Sequence, residues 1–193
     1  DTMSKIVGYC ESKEVFSEHS NMIYNDLKIY NDLFDIYNEY EGINNLKTIN
    51  DNAGVAPVKV DRKIIDLLLF CKEIYEFTGG RVNVALGSVL SIWHDYRTAG
   101  IEDPENAKLP PMDLLKEAAK HTDINDLVIN ETDSTVFLKD SDMRLDVGAV
   151  AKGYAIEQAS KAAEERGFKN GIISVGGNVR AIGSKDGDPW NVG

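Results

Sequence analysis

Two glycine-bearing segments constrain this chain more than any other feature. Leu145–Gly153 reads LDVGAVAKG and Val175–Gly183 reads VGGNVRAIG. Small residues let a backbone turn sharply or come close to a ligand where a bulky side chain would not fit. The first segment also sets Asp146 and Lys152 at the two ends of an expected strand–turn–helix corner. Unpaired N–H groups at a helix start attract anions, so the corner suits a phosphate-bearing ligand. A plain corner with a surface ion pair fits the same residues. Gly176-Gly177-Asn178 likewise reads either as a tight hairpin or β-bulge, or as a close approach to a ligand. Neither G-x-x-x-x-G-K-[ST] nor G-x-G-x-x-G occurs, so a nucleotide would be held by neither a P-loop nor a Rossmann turn.

The 193 residues suffice for one sizeable domain or two small ones. Hydrophobic content of 42% and charged content of 27% are those of an ordinary globular chain. A net charge of -11 argues against a nucleic-acid partner, which would need clustered Lys and Arg. Two cysteines give no disulfide framework, and Cys71, inside the apolar run Leu67–Ile74, reads as a buried thiol. The chain opens at Asp1 without a Met and closes on Trp190-Asn191-Val192-Gly193, which reads as the opening of a strand. These ends lead us to expect a fragment whose fold continues past Gly193.

The spacing predicts a strand over Thr2–Tyr9 and a long amphipathic helix over Ser12–Tyr37, with Phe16, Ile23, Leu27, Tyr30, Phe34 and Tyr37 on one face. A short helix follows at Asn44–Asn50, then a strand around Val58 and Val60. A helix capped by Asp61 runs to Phe77 and stops at Gly79-Gly80. Arg81–Val84 reads as extended and Gly87–Tyr96 as helical. Gly100–Pro111 holds three of the five prolines and reads as a surface loop, the best place for a subdomain boundary. Beyond it come a helix at Met112–His121, a hairpin of Leu127–Asn130 with Thr135–Lys139, a strand at Met143–Asp146, and an Ala-rich helix from Ala149 to Arg166. Paired strands at Ile172–Val175 and Val179–Ile182 close the chain, followed by a turn at Lys185–Asp188. Helices alternating with hairpins predict an α+β fold with mainly antiparallel sheets.

Candidate chemistry is sparse. His19, His94 and His121 lie far apart, and none stands in a zinc-binding spacing. His19 reads as helix surface and His94, after Trp93, as lining for a pocket. Tyr37 fits either the core or a stacking platform for a planar ring. Thr78–Val84 fits a simple helix stop as well as a ligand-lining turn.

Four segments, in order, resemble the FAD:protein FMN transferases, the ApbE family once called thiamine biosynthesis lipoproteins. They are Leu33–Asn50 (LFDIYNEYEGINNLKTIN), Thr78–Trp93 (TGGRVNVALGSVLSIW), Leu145–Tyr154 (LDVGAVAKGY) and Ile173–Gly193 (ISVGGNVRAIGSKDGDPWNVG). The family forms are close to F-x-x-Y-x-x-x-S-x-L-x-x-L-N, T-G-G-x-F-D-x-T-V-G-P-L-x-x-L-W, L-D-L-G-G-I-A-K-G-Y and V-N-L-G-G-N-x-x-x-x-G with a later P-W. The resemblance covers essentially the whole chain. It implies one domain of this type over 1–193, with a T-fold-like architecture and a subdomain boundary near 100–111.

The resemblance also implies an activity. FAD is cut at its pyrophosphate with a divalent metal, Mg²⁺, and FMN passes to a Thr or Ser of a target flavoprotein as AMP leaves. A protein that only binds FAD, or a pyrophosphatase releasing FMN and AMP, would use the same pocket. By position, Tyr37 matches the residue against the flavin ring, and Arg81, Val82 and Asn83 match the stretch lining that pocket. Asp146 matches the acidic residue hydrogen-bonded to the flavin or adenine moiety. Ala149 matches the position whose backbone carbonyl helps hold the metal, and Lys152 the basic residue near the phosphates. Asn83 stands where Asp is common, Val84-Ala85-Leu86 replaces P-T-V, Arg81 is larger than usual, and Glu41-Gly42-Ile43 departs from S-x-L. The catalytic base and the other metal ligands are expected C-terminal to Gly193. The acceptor implied is a subunit of a membrane redox complex. The location implied is extracytoplasmic, through a lipid anchor on an N-terminal Cys outside this chain.

Overall fold

Caps and apolar spacing define the elements of the computed structural model, which describes residues 3–193. The chain divides into two units. One holds the residues up to Asn31 together with Val150–Gly193, and the other is Asp32–Ala149. The 100–111 segment lies inside the second unit, so the division falls elsewhere than at that loop.

In the first unit β1 (Ser4–Gly8), β5 (Gly171–Val175) and β6 (Asn178–Ile182) form an antiparallel sheet in the order β1-β5-β6. Thr2, at the start of the expected first strand, lies outside the described residues. Helix α6 (Ala151–Glu165) buries Ala155, Ile156, Ala159, Ser160 and Ala163, a face with helical spacing. The core joins Ile156 and Ala163 to Ile173 and Ile182 of the sheet, Phe168, and Ile23 of α1 (Lys13–Phe34). His19 is half-buried, with its ring 5.4 Å from that of Phe168, so it belongs to this core and not to the helix surface expected of it. Val175 pairs with Asn178, which makes Gly176-Gly177 a two-residue hairpin turn. Both glycines have positive φ (54° and 89°), as a type I′ turn demands. The hairpin reading of this segment therefore holds.

In the second unit β2 (Val58–Lys59), β4 (Thr135–Leu138) and β3 (Leu127–Asn130) form another antiparallel sheet. Helices α2 (Leu46–Asp51), α3 (Arg62–Phe77), α4 (Gly87–Glu102) and α5 (Met112–Ala118) accompany it. Asn45 caps α2 through a reciprocal bond pair with Thr48, and its amide also reaches the carbonyls of Asp32 and Asn38. Asp61 caps α3 through the Lys63 N–H, and the helix stops at Thr78 with the Gly79 and Gly80 amides reaching back to Glu76 and Tyr75. Ile64, Ile65, Leu67, Leu68 and Cys71 of α3 are buried with Val136 and Leu138 of β4 among the core residues. Burial pushes the Cys71 thiol up to about 12, so it is unreactive, and both cysteines are free. Among the described residues no helix is long and apolar enough to cross a membrane.

Four expected elements differ. α1 stops at Phe34, so Tyr37 lies in the loop beyond the helix and not on its apolar face. α4 runs on to Glu102 instead of ending at Tyr96, and a 3-10 turn at Pro104–Asn106 follows it. Arg81–Val84 and Met143–Asp146 form no strand; a single parallel bridge joins Leu86 to Arg144.

Candidate functional site

Asp146 is presented by a segment pinned from three sides, all within the second unit. The buried side-chain amide of Asn50 accepts from the Leu145 N–H at 2.7 Å and donates to the Leu145 carbonyl at 3.0 Å. Arg144 donates to the Asn50 carbonyl at 3.0 Å, and the Asp146 N–H donates to the Val84 carbonyl at 2.8 Å. Gly87, at the start of α4, completes the fit: a Cβ there would lie 2.4 Å from the Arg144 carbonyl oxygen. Only glycine permits that approach. So placed, the Asp146 carboxylate accepts from the Gly148 N–H at 2.8 Å and fixes the turn that follows.

Tyr37 stands on a second fixed loop. The Asp35 carboxylate accepts from the Tyr37 and Asn38 N–H groups, the Asn38 side chain and the Tyr40 hydroxyl, at 2.7–3.1 Å. Burial raises the pKa of Asp35, but these donors outweigh it and hold the carboxyl below its usual range. The Tyr37 side chain is left 59% exposed, and its ring lies 5.3 Å from that of His94 on α4, tilted by 31°. Desolvation first, then the Asp146 charge, pushes the Tyr37 phenol up; Arg97 opposes them and Asp35 adds to them. The phenol is therefore a neutral O–H donor near neutral pH, within electrostatic reach of the Asp146 carboxylate and the Arg97 guanidinium.

The remaining expected residues divide. Val82 donates its N–H to the Thr78 hydroxyl at 3.1 Å. The Asn83 side chain is spent on the fold: it donates to the Thr122 carbonyl at 2.9 Å and accepts from the Ala85 N–H at 2.9 Å. Arg81 is exposed, beside Val82. Ala149 is exposed and is the last residue of the second unit. Its carbonyl precedes by one residue the first bond of α6, from Tyr154 N–H to Val150 carbonyl. Lys152 is exposed in the first turn of α6 and belongs to the first unit.

Sequence reasoning missed Asn50 and the pairing of His94 with Tyr37, because both depend on contacts far apart in the chain. It also missed a cluster of His121, Asp140 and Asp142, whose donor atoms all lie within 4.8 Å of one another. His121 Nδ1 is 2.7 Å from the Asp140 carboxylate, which also accepts from the Asp142 N–H at 2.8 Å, and these two bonds draw the three residues together. The bond to Asp140 raises the His121 pKa, with burial opposing it. Burial pushes Asp140 up, but the His121 ring and the Asp142 and Met143 amides hold it below its ordinary value. A nitrogen donor with two carboxylates does not match the oxygen-only preference of Mg²⁺. A shallow cavity of about 500 Å³ lined by Glu39, Tyr40, Ile43, Thr48 and Asp51 holds none of the expected site residues.

Comparison with known proteins decides the lineage: the model of the ApbE family matches residues 2–193. The chain belongs to the ApbE family. Among ApbE relatives, an FAD:protein FMN transferase of Treponema pallidum is 32% identical over 163 residues, covering 77% of this chain and 43% of that protein. One of Klebsiella pneumoniae is 27% identical over 174 residues, covering 90% of this chain and 50% of that protein. This chain thus spans about half the length of the relatives it matches. The crystal structure of the ApbE protein from Thermotoga maritima superposes with a TM-score of 0.79 at 27% identity, covering 97% of this chain and 58% of that one. The flavin transferase ApbE from Vibrio cholerae, as its H257G mutant, gives a TM-score of 0.79 at 18% identity, covering 100% of this chain and 66% of that one, and shows the shared ApbE fold.

Proposed function

We propose that this chain supplies the flavin-holding part of an FAD:protein FMN transferase. The observation that carries the reading is the exposed Tyr37 ring, held on a braced loop within electrostatic reach of the Asp146 carboxylate. A planar, largely apolar ring stacks on such a shelf, and a fixed carboxylate accepts from ring N–H or ribose O–H groups. The names of the relatives support the same substrate.

In the reaction, a Thr or Ser hydroxyl oxygen of a target flavoprotein forms a bond to the FMN phosphorus of FAD. The pyrophosphate bridge breaks, AMP leaves, and the hydroxyl proton passes to a base. Tyr37 orients the flavin, and the Asp146 carboxylate accepts a hydrogen bond from the flavin or adenine moiety. For Lys152, which belongs to the first unit, the role near the phosphates rests on the resemblance alone: its positive charge would offset the negative charge that develops on them. Mg²⁺ would supply further charge neutralisation, and the exposed Ala149 carbonyl is a hard oxygen donor suited to it. The acceptor in this proposal is a subunit of a membrane redox complex, and the site of action is the outer face of the membrane, reached through a lipid anchor.

The test is an intact-mass assay of a Thr-bearing acceptor incubated with the full-length protein, FAD and Mg²⁺. A gain of one FMN moiety, abolished by chelation and matched by AMP release, is expected. An unmodified acceptor beside free FMN and AMP would overturn transfer in favour of pyrophosphate hydrolysis. An unmodified acceptor beside intact bound FAD would leave a flavin-binding protein.

A further inference from the structure

His94 has no part in the reading above, yet its ring is the one that meets Tyr37. The two differ in how they are held. His94 is half-buried in the middle of α4, and the start of that helix is locked. Gly87 abuts the Arg144 backbone, and the Ser88 hydroxyl donates to the Asp142 carbonyl at 2.8 Å. Tyr37 sits on a loop held by Asp35 through backbone amides, which leaves its side-chain torsions to be set by neighbours. The tilted ring contact at 5.3 Å supplies that neighbour. Arg97, close to one helical turn after His94, adds its charge to the surroundings of the phenol. With 59% of the residue still exposed, Tyr37 keeps surface for a ligand.

We propose that His94 is a positioning residue for the flavin ring: it braces Tyr37 from the rigid helix α4 and holds that ring in the orientation a planar ligand stacks on. The inference rests on the flavin-transferase reading. Its physical content is preorganisation. A tyrosine ordered before binding spares the ligand the entropy of ordering it, and an aromatic pair adds a modest attraction of its own. Removing the brace is expected to weaken flavin binding by about three- to tenfold. The loss should be the same for FAD and FMN, because the braced contact is with the ring they share.

The experiment is a set of fluorescence titrations of the chain with FAD and with FMN, on wild type, H94A, H94F, Y37A and the Y37A/H94A pair. We expect H94A to weaken both ligands by the same factor and to change the residual fluorescence at saturation, which reports ring stacking. H94F restores an aromatic neighbour and should return both readouts to near the wild-type values. In the Y37A background, the His94 substitution should cost nothing further. Unchanged binding and unchanged saturating fluorescence in H94A would overturn the inference. So would a loss that persists without Tyr37, or one confined to FAD, which would put His94 against the adenylate. Failure of the wild-type chain to bind either flavin would overturn the flavin reading itself and this inference with it.

Discussion

Between Arg144 and Gly148 the chain is held by groups from distant parts of its unit: the Asn50 amide, the Val84 carbonyl and the close face of Gly87. Between Val175 and Asn178 it is held by its own hairpin, and a Cβ added at Gly177 would have nothing within 4 Å. Both segments look alike in sequence, small and glycine-bearing. The glycines that matter do different work, and the one that serves the first segment, Gly87, lies outside it and packs against Arg144. At Gly87 the missing Cβ makes room for another backbone, whereas at Gly176-Gly177 it permits a left-handed conformation. The first is a long-range packing requirement tied to the candidate site. The second is local turn chemistry.

The sharpest way to break this contrast is Asn50→Ala. It leaves the N–H and carbonyl of buried Leu145 without partners, each costing about 1–3 kcal/mol. A loss of about 3 kcal/mol is expected, or a fall in Tm of roughly 6–12 °C, read by thermal denaturation. Gly87→Ala comes next, at about 2–3 kcal/mol by urea denaturation, because two backbones must move apart. Tyr37→Ala tests whether the braced region is where the ligand binds. It should weaken FAD about tenfold by equilibrium titration, with stability little changed.

Gly177→Ala, on the hairpin, should cost only about 1 kcal/mol, the penalty for a left-handed non-glycine residue. Equal costs at Gly87 and Gly177 would remove the distinction between them. The smallest effect concerns the His121–Asp140 pair, which closes the loop beside α4. His121 is raised above its ordinary 6.5, so its stabilising contribution is full below that pH and fades as pH rises through the folded value. Asp140 is lowered from 3.8, so its contribution is present above that pH and lost as pH falls through the folded value. Stability followed against pH should therefore decline on the alkaline side in wild type and do so less in H121N.

Much of the fold was legible because it is written in local spacing. Helices α1, as far as Phe34, and α3 follow their apolar periodicity and their Ser12 and Asp61 caps, α6 follows its apolar periodicity alone, and the β3–β4 and β5–β6 hairpins follow their turn residues. The strand expected at Met143–Asp146 is absent because Asn50, 95 residues away in sequence, takes the Leu145 hydrogen bonds that a ladder would use. No window of sequence contains both partners. α4 outran its expected end because Gly100 is tolerated within a helix and the first proline comes only at Pro104. At the site, turn context singles out Asp146 and residue type Tyr37, the resemblance assigns their roles, and the two lie within electrostatic reach of each other. Asn83, expected to line the pocket, has its amide committed to Thr122 and Ala85, a use that residue type alone does not disclose.

The central claim is that the braced region around Tyr37 and Asp146 is the flavin site. Hydrogen–deuterium exchange of the chain with and without FAD tests it most directly. The account predicts slowed exchange in peptides spanning 35–40, 81–97 and 144–149. Protection confined to the β5–β6 hairpin, or no protection at saturating FAD, would contradict it.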